Sequence, residues 1–249
     1  MLLKGKTAVI TGSNRGIGKA TLERFAMHGA NVFAHARKET EEFKDVCKKM
    51  SEKYNVSIVP LYFDVADEDA VKEGIKEIAK TVKDIDILVN NVGVVNNVKL
   101  FQMMNIQEIR EQFEVNFFSH LLITQLISRF MIRRRKGSII NISSCAGIDG
   151  NTGMLDYVSS KAAIIGATKR LAIELGAYNI RVNSVAPGLT ETEMGNKMDE
   201  KLLEDMLRKL VIKRKAKPEE IADAIVFFAS DMSSFITGQV MRVDGGMLQ

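Results

Sequence analysis

Tryptophan is absent from this chain, and proline, histidine and cysteine are scarce, at 3, 3 and 2 residues in 249. The two cysteines, Cys47 and Cys145, lie far apart and form no metal or redox spacing, which excludes a disulfide scaffold and fits a reducing compartment. His28, His35 and His120 stand alone and build no ligand cluster, so no metal is expected. With no Pro-, Ser- or Gly-rich tract there is no candidate linker, and residues 1–249 read as one domain. No stretch approaches the roughly 20 uninterrupted apolar residues of a membrane span. The opening six residues lack the apolar core of a secretory signal. An excess of one charge is also missing: 35 basic against 31 acidic residues leave +4, too little to imply nucleic acid. These absences together point to a cytoplasmic setting.

What is present is 46% apolar residues, laid out as short β-branched runs that alternate with helical patterns. Strands are predicted over 7–11, 31–36, 56–63, 85–89, 138–142, 181–186 and 239–243. Helices are predicted over 19–28, 38–54, 67–82, 108–132, 157–176 and 218–229. Continuous β–α alternation implies an α/β fold: a doubly wound sheet of about seven parallel strands with helices on both faces. In such sheets ligands sit outside the carboxyl ends of the strands. Gly12, Arg37, Asp64, Asn91, Ser144 and Pro187 all fall at such ends.

Between the first strand and the first helix stand Gly12, Ser13, Asn14, Arg15, Gly16, Ile17 and Gly18. Glycines there permit a tight turn and close approach of backbone to a diphosphate, which the helix N-terminus then attracts. The alternative is a glycine turn that only packs strand on helix. At the end of the second strand, where a carboxylate would hold a ribose 2′-hydroxyl, stand Ala36 and Arg37. Arg37 and Arg15 suit a 2′-phosphate, hence NADP(H); the other reading of Arg37 is a solvated strand end.

Tyr157 and Lys161 lie four apart in a helical run and so share a face. An ammonium about 4 Å from the phenol, at an effective dielectric of about 20, is worth about 4 kcal/mol. That would bring the phenol toward neutrality, where acid–base catalysis is efficient. Ser144 could donate to a substrate oxygen on which charge develops. Taken alone, a Tyr-x-x-x-Lys pair is more often an exposed aromatic beside a solvated charge.

Taken together, Thr11-Gly-x3-Gly-Ile-Gly18, Asp64, Asn90-Asn-x-Gly93, Asn116, Ser144-x12-Tyr157-x3-Lys161 and Pro187-Gly188-x3-Thr192 resemble a compact short-chain dehydrogenase/reductase over nearly the whole chain. One departure is Val92, where the family usually has alanine. The resemblance implies a Rossmann-type domain and a role for each position. Tyr157 would be the proton donor and Ser144 would polarise the carbonyl. Lys161 would lower the Tyr157 pKa and hold the nicotinamide ribose, and Asn116 would anchor a water in a proton relay. The loop of residues 12–18 would hold the diphosphate, Asp64 and Val65 the adenine, and Asn91 and Gly93 the adenine-side ribose region. Pro187, Gly188, Thr190 and Thr192 would hold the nicotinamide end.

Within the family the likeness is greatest to 3-oxoacyl-(acyl-carrier-protein) reductases of fatty acid biosynthesis, in the loop, the Pro-Gly-x-x-Glu-Thr-Glu-Met run and the ending Thr237-Gly-Gln-Val-Met-Arg-Val-Asp-Gly-Gly246. This implies NADPH-dependent reduction of a 3-oxoacyl thioester by a homotetramer. Alternatives are an NADP-linked oxidoreductase of another ketone, sugar or secondary alcohol, and a dinucleotide-binding sensor without catalysis. An acidic carrier would dock on Arg133, Arg134 and Arg135, although the second matching position, Tyr178, is not basic. The basic run also fits a solvated helix C-terminus. Met194, Met198, Leu202, Leu203, Met206 and Leu207 have amphipathic helical spacing, and 189–215 reads either as a substrate lid or as a helix packed on the core.

Overall fold

A computed structural model describes residues 1–95, 98–193 and 200–247. Seven strands form one parallel sheet: β1 Thr7–Ile10, β2 Asn31–Ala36, β3 Ile58–Tyr62, β4 Ile87–Asn90, β5 Gly137–Ile142, β6 Ile180–Pro187 and β7 Val240–Val243. Their order is β3-β2-β1-β4-β5-β6-β7, so the topology reverses between β1 and β4. A crevice opens there at the carboxyl edge.

Strand residues alternate between two cores, as the two-residue period of a strand requires. Ala8, Ile10, Ile87, Val89, Ile140 and Ile142 face one layer, built from α1 Gly16–Met27, α2 Glu41–Tyr54 and α9 Pro218–Ala229. Val9, Leu88 and Ile139 face the other, built from α3 Glu68–Thr81, α5 Ser119–Arg134 and α7 Leu155–Gly176. Burial on both faces is why the strands are continuous apolar runs rather than alternating ones.

The sequence-derived boundaries differ at informative places. Helix α1 begins at Gly16 instead of residue 19, because the glycine loop itself supplies the first turn. Helix α2 begins at Glu41 because the Thr40 hydroxyl accepts from Phe43 N and caps it. The stretch predicted as one helix over 108–132 is three pieces: α4 Ile106–Phe113, a single π turn Glu114–Phe118, and α5. By length and composition Ile106–Arg134 could cross a membrane, yet 50% of its most apolar window is buried inside the domain. A short helix α6, Ala146–Asp149, follows β5 and was not foreseen. In the predicted lid, Leu203, Met206 and Leu207 lie on α8, Glu200–Lys209. Met194 and Met198 and the side chain of Leu202 fall outside the described residues.

Candidate active site

The carboxyl edge collects every predicted site residue except Asn116, Tyr157 and Lys161, which helical elements bring in. The glycine loop leaves β1 through Gly12, at φ +67. Gly18 carries the tighter constraint: a Cβ there would lie 2.0 Å from Gly12 O and 2.5 Å from Asn91 Nδ2. Helix α1 therefore packs against its own loop at a distance only glycine allows. Arg15 occupies the N-cap without a side-chain cap bond, and no acidic residue lies in the first turn. Helix N–H groups and dipole are thus left to an anion, which is a fit for a dinucleotide diphosphate.

Several residues predicted to contact the dinucleotide also support the scaffold. Ser13 is buried, with Oγ 2.7 Å from Ile10 O and its N–H donating to His35 O at 2.7 Å. Asn91 Nδ2 donates to Thr11 O and Gly12 O, and its backbone N–H donates to Thr11 Oγ1. Asn91 therefore ties the end of β4 to the loop. Thr190 Oγ1 donates to Gly188 O at 3.0 Å. Gly16 approaches Thr192, whose methyl would meet an added Cβ at 3.3 Å. The loop and the segment after β6 thus close over the same space. Asn14 is exposed and Val65 buried.

Two loop supports were not recognised from the sequence. Thr11 Oγ1 accepts from Asn91 N and Val92 N and donates to Val89 O. His35 is buried on β2; its Nε2 meets Phe63 O at 2.8 Å and its Nδ1 accepts from Gly12 N at 3.1 Å. Burial lowers its pKa to about 4, so the ring stays neutral and keeps the accepting nitrogen. A lone buried histidine beside a glycine loop was the available signal.

Both arginines assigned to a 2′-phosphate are exposed and ion-paired. Arg37 Nη2 lies 2.8 Å from Asp64 Oδ2, and Arg15 Nη1 lies 2.5 Å from Glu193 Oε2. Asp64 thus serves Arg37, and Glu193 joins the site as a residue the sequence reading missed.

Ser144, Tyr157 and Lys161 meet at the end of β5. The buried Lys161 donates from Nζ to Ile142 O at 2.8 Å, and a Cβ on Gly93 would lie 3.1 Å from that nitrogen. Burial lowers its pKa to about 8. The Tyr157 phenol goes the other way: burial raises its pKa, and the hydrogen bond with Ser144 opposes the rise. This corrects the expectation that Lys161 by itself depresses the phenol. The ammonium is directed at a backbone carbonyl and sits 5.9 Å from the Tyr157 ring centroid.

Asn116 lies in the π turn, fully buried. Its Oδ1 accepts from Val94 N at 2.8 Å, and its Nδ2 donates to Val94 O at 2.9 Å and Ser160 Oγ at 3.2 Å. The amide clamps the loop after β4 directly. The wide turn is what points it inward from an otherwise apolar helix.

The basic run is spent locally. Arg133 stacks on Phe130, Arg134 Nη1 meets Asp86 at 2.9 Å, and Arg135 donates to Ala177 O at 2.7 Å while lying over the Tyr178 ring.

The comparisons agree with this geometry. A sequence model of the family described as Enoyl-(Acyl carrier protein) reductase matches residues 12–248. The 3-oxoacyl-(acyl-carrier-protein) reductase FabG of Thermotoga maritima is 42% identical, covering 100% of both chains. The protein of the same name from Aquifex aeolicus is 39% identical over 98% of each chain. A crystal structure from Sinorhizobium meliloti 1021, described as that of a short-chain alcohol dehydrogenase, superposes with a TM-score of 0.91 at 32% identity, covering 98% of this chain and 96% of that one. The chain belongs to the short-chain dehydrogenase/reductases, oxidoreductases that work with a nicotinamide dinucleotide.

Proposed function

We propose that the protein reduces the 3-oxo group of an acyl thioester to the 3-hydroxy product, with NADPH as the reductant. The observation that carries this reading is that Ser144 and Tyr157 stand together beside buried Lys161 at the carboxyl edge. Two hydroxyls in contact suit one carbonyl oxygen that accepts from both. Ser144 polarises that oxygen, and Tyr157 delivers the proton as negative charge develops there. The bound dinucleotide supplies the hydride to the carbonyl carbon. Lys161, held in register by Ile142 O, keeps its ammonium beside this pair and would hold the ribose hydroxyls of the nicotinamide. Asn116 fixes the Val94 backbone beside Lys161 and so keeps the wall of the site in place.

Relatives named as 3-oxoacyl reductases support the substrate class, and exposed Val94, Ile148 and Leu155 supply apolar surface near the site by chain position. Arg15 and Arg37 support NADPH, since a 2′-phosphate accepts charge-assisted bonds from both guanidiniums. We also read the protein as a homotetramer. Phe118 on the π turn, Ile173 on α7 and Phe235 after α9 are exposed and supply apolar surface for such an assembly. Sedimentation as a monomer at micromolar concentration would exclude that assembly.

The substrate assignment is tested by turnover. Acetoacetyl and crotonyl thioesters of N-acetylcysteamine are compared with a panel of ketones and sugars, using NADPH and NADH. Preferred oxidation of NADPH by the acetoacetyl thioester is expected. Turnover of the crotonyl thioester alone would assign reduction of a carbon–carbon double bond instead, and turnover of only simple ketones or sugars would remove the thioester.

A further inference from the structure

The basic excess of this chain is not spread over its surface. Residues 208–217 contain Arg208, Lys209, Lys213, Arg214, Lys215 and Lys217 and no acidic residue; the remaining sequence holds 29 basic against 31 acidic residues. Outside that ten-residue segment the chain of net charge +4 therefore sums to a net −2.

The fold places that segment at the carboxyl edge. Val211 N donates to Gly246 O and Ile212 N to Gly245 O, which fixes one side of it to the chain beyond β7. Glu191 N donates to Ala216 O and Ala216 N to Leu189 O, which fixes the other side to the stretch after β6. Leu210 is buried beneath, while Val211 and Ile212 are 63% and 54% exposed. Arg208, Lys209, Lys213, Arg214 and Lys217 surround them in solvent. Two exposed aliphatic side chains within a basic rim have the layout of a protein interface: an apolar centre with charge at its edge.

Among the exposed side chains of this rim, little of the charge is used internally. Arg214 is held bidentately by Glu220 at 2.6 and 2.7 Å. Arg208 meets Glu204 and Asp205 only at 3.6 Å on exposed surface, where ion pairs contribute little. Lys213 donates one bond to Arg208 O and an ammonium carries three donors. The other basic run, Arg133 to Lys136, differs in both respects. Its arginines are engaged with Phe130, Asp86, Ala177 O and Tyr178. It also immediately precedes β5 and so lies at the amino edge of the sheet, opposite the site within one chain.

We infer that residues 208–217 form the docking surface for the acidic carrier protein that delivers the thioester; this rests on the 3-oxoacyl reading above and deepens it. Complementary charge at this rim steers the carrier to the edge where Ser144 and Tyr157 stand, and it acts chiefly on association. The stretch after β6 joins the two places directly.

The test uses the full chain with its cofactor and has two parts. Holo acyl carrier protein is titrated against wild type, an Arg208→Glu/Lys209→Glu/Lys213→Glu variant and a milder Lys209→Ala/Lys213→Ala variant. The triple variant should bind at least tenfold more weakly at ~0.1 M salt, with the gap closing at ~0.5 M as screening shortens. The milder variant should fall between, which covers a triple variant that folds poorly. In turnover, kcat/KM should fall at least tenfold more for the acetoacetyl carrier protein than for the uncharged acetoacetyl N-acetylcysteamine thioester, through KM. Equal carrier binding by all three proteins would overturn the proposal, as would an equal fall for both substrates. A loss seen with the coenzyme A thioester but not with the carrier would also overturn it and assign the patch to a nucleotide. If wild type binds the carrier in a patch-dependent manner but reduces neither thioester, the docking surface stands and the 3-oxoacyl reading falls.

Discussion

Replacing Lys161 by methionine separates what the ammonium does for chemistry from what it costs the fold. Lys161 is 3% exposed, and its Nζ contact is the Ile142 carbonyl rather than a carboxylate. Burial moves its pKa from 10.5 to about 8. A lysine whose pKa falls on folding opposes folding while it is protonated. The penalty is complete below about pH 8, shrinks as pH rises from there to 10.5, and is gone above that range. The gap corresponds to roughly 3 kcal/mol at pH 7. Methionine is similar in length and carries no charge, so it relieves the penalty but leaves Ile142 O without its donor, at about 1–2 kcal/mol. Lys161→Met should therefore be more stable than wild type at pH 7 by about 1–2 kcal/mol. In a chain of this length that raises Tm by about 2–8 °C. At pH 10 the gain should vanish or reverse. Turnover should fall at least about 10²-fold, since the ammonium that stands beside Ser144 and Tyr157 is lost. Thermal unfolding without cofactor at pH 7 and 10, together with kcat at pH 7, checks all of this. A Tm lowered at pH 7, or a Tm change identical at the two pH values, would refute the assignment of a buried, energetically costly ammonium.

Three further substitutions test neighbouring parts of the site. Tyr157→Phe removes only the transferable proton and should lower turnover by about 10²–10⁴-fold while cofactor binding persists; near-normal turnover would show another acid at work. Gly18→Ala places a methyl 2.0 Å from Gly12 O and 2.5 Å from Asn91 Nδ2, so it should destabilise the fold by about 1–3 kcal/mol and weaken dinucleotide binding at least tenfold, read by urea unfolding and fluorescence titration. Arg37→Asp should reverse the preference for NADPH: two guanidinium contacts of about 1.5–3 kcal/mol each, less about 0.2–1 kcal/mol for each exposed ion pair given up, predict a wild-type preference centred near 10²-fold. Equal kcat/KM for the two cofactors in wild type would leave the arginines as surface charges.

Much of the fold was legible because its cores are regular. Period-two alternation divides Ala8, Val9 and Ile10 between opposite faces, and helical spacing marks α3, α7 and α9. The places that escaped are those where a side chain or a turn overrides the pattern. Thr40 delays α2 by capping it, the glycine loop advances α1 by forming its first turn, and the π turn interrupts an apolar run whose composition is helical throughout. A hydrophobic count cannot register one extra residue in a turn, yet that residue aims Asn116 at Val94 instead of leaving it on a helix face.

The site shows the same division between what spacing encodes and what only contact encodes. Tyr157 and Lys161 share a helix face because they are four apart, and that is local. What Lys161 does to Tyr157 depends on Ile142, nineteen residues earlier, whose carbonyl takes the ammonium. The placement of each arginine proposed for the cofactor likewise depends on a carboxylate that chain order does not announce: Asp64 for Arg37, and Glu193 for Arg15 at a separation of 178 residues. These pairs are exposed, so each contributes only about 0.2–1 kcal/mol, small beside a charge-assisted bond of about 1.5–3 kcal/mol to a phosphate. The two arginines are thus held in position at low cost and yield readily to a 2′-phosphate. Lys161, being buried, has no such inexpensive partner, and for that reason its substitution is the one expected to trade activity for stability.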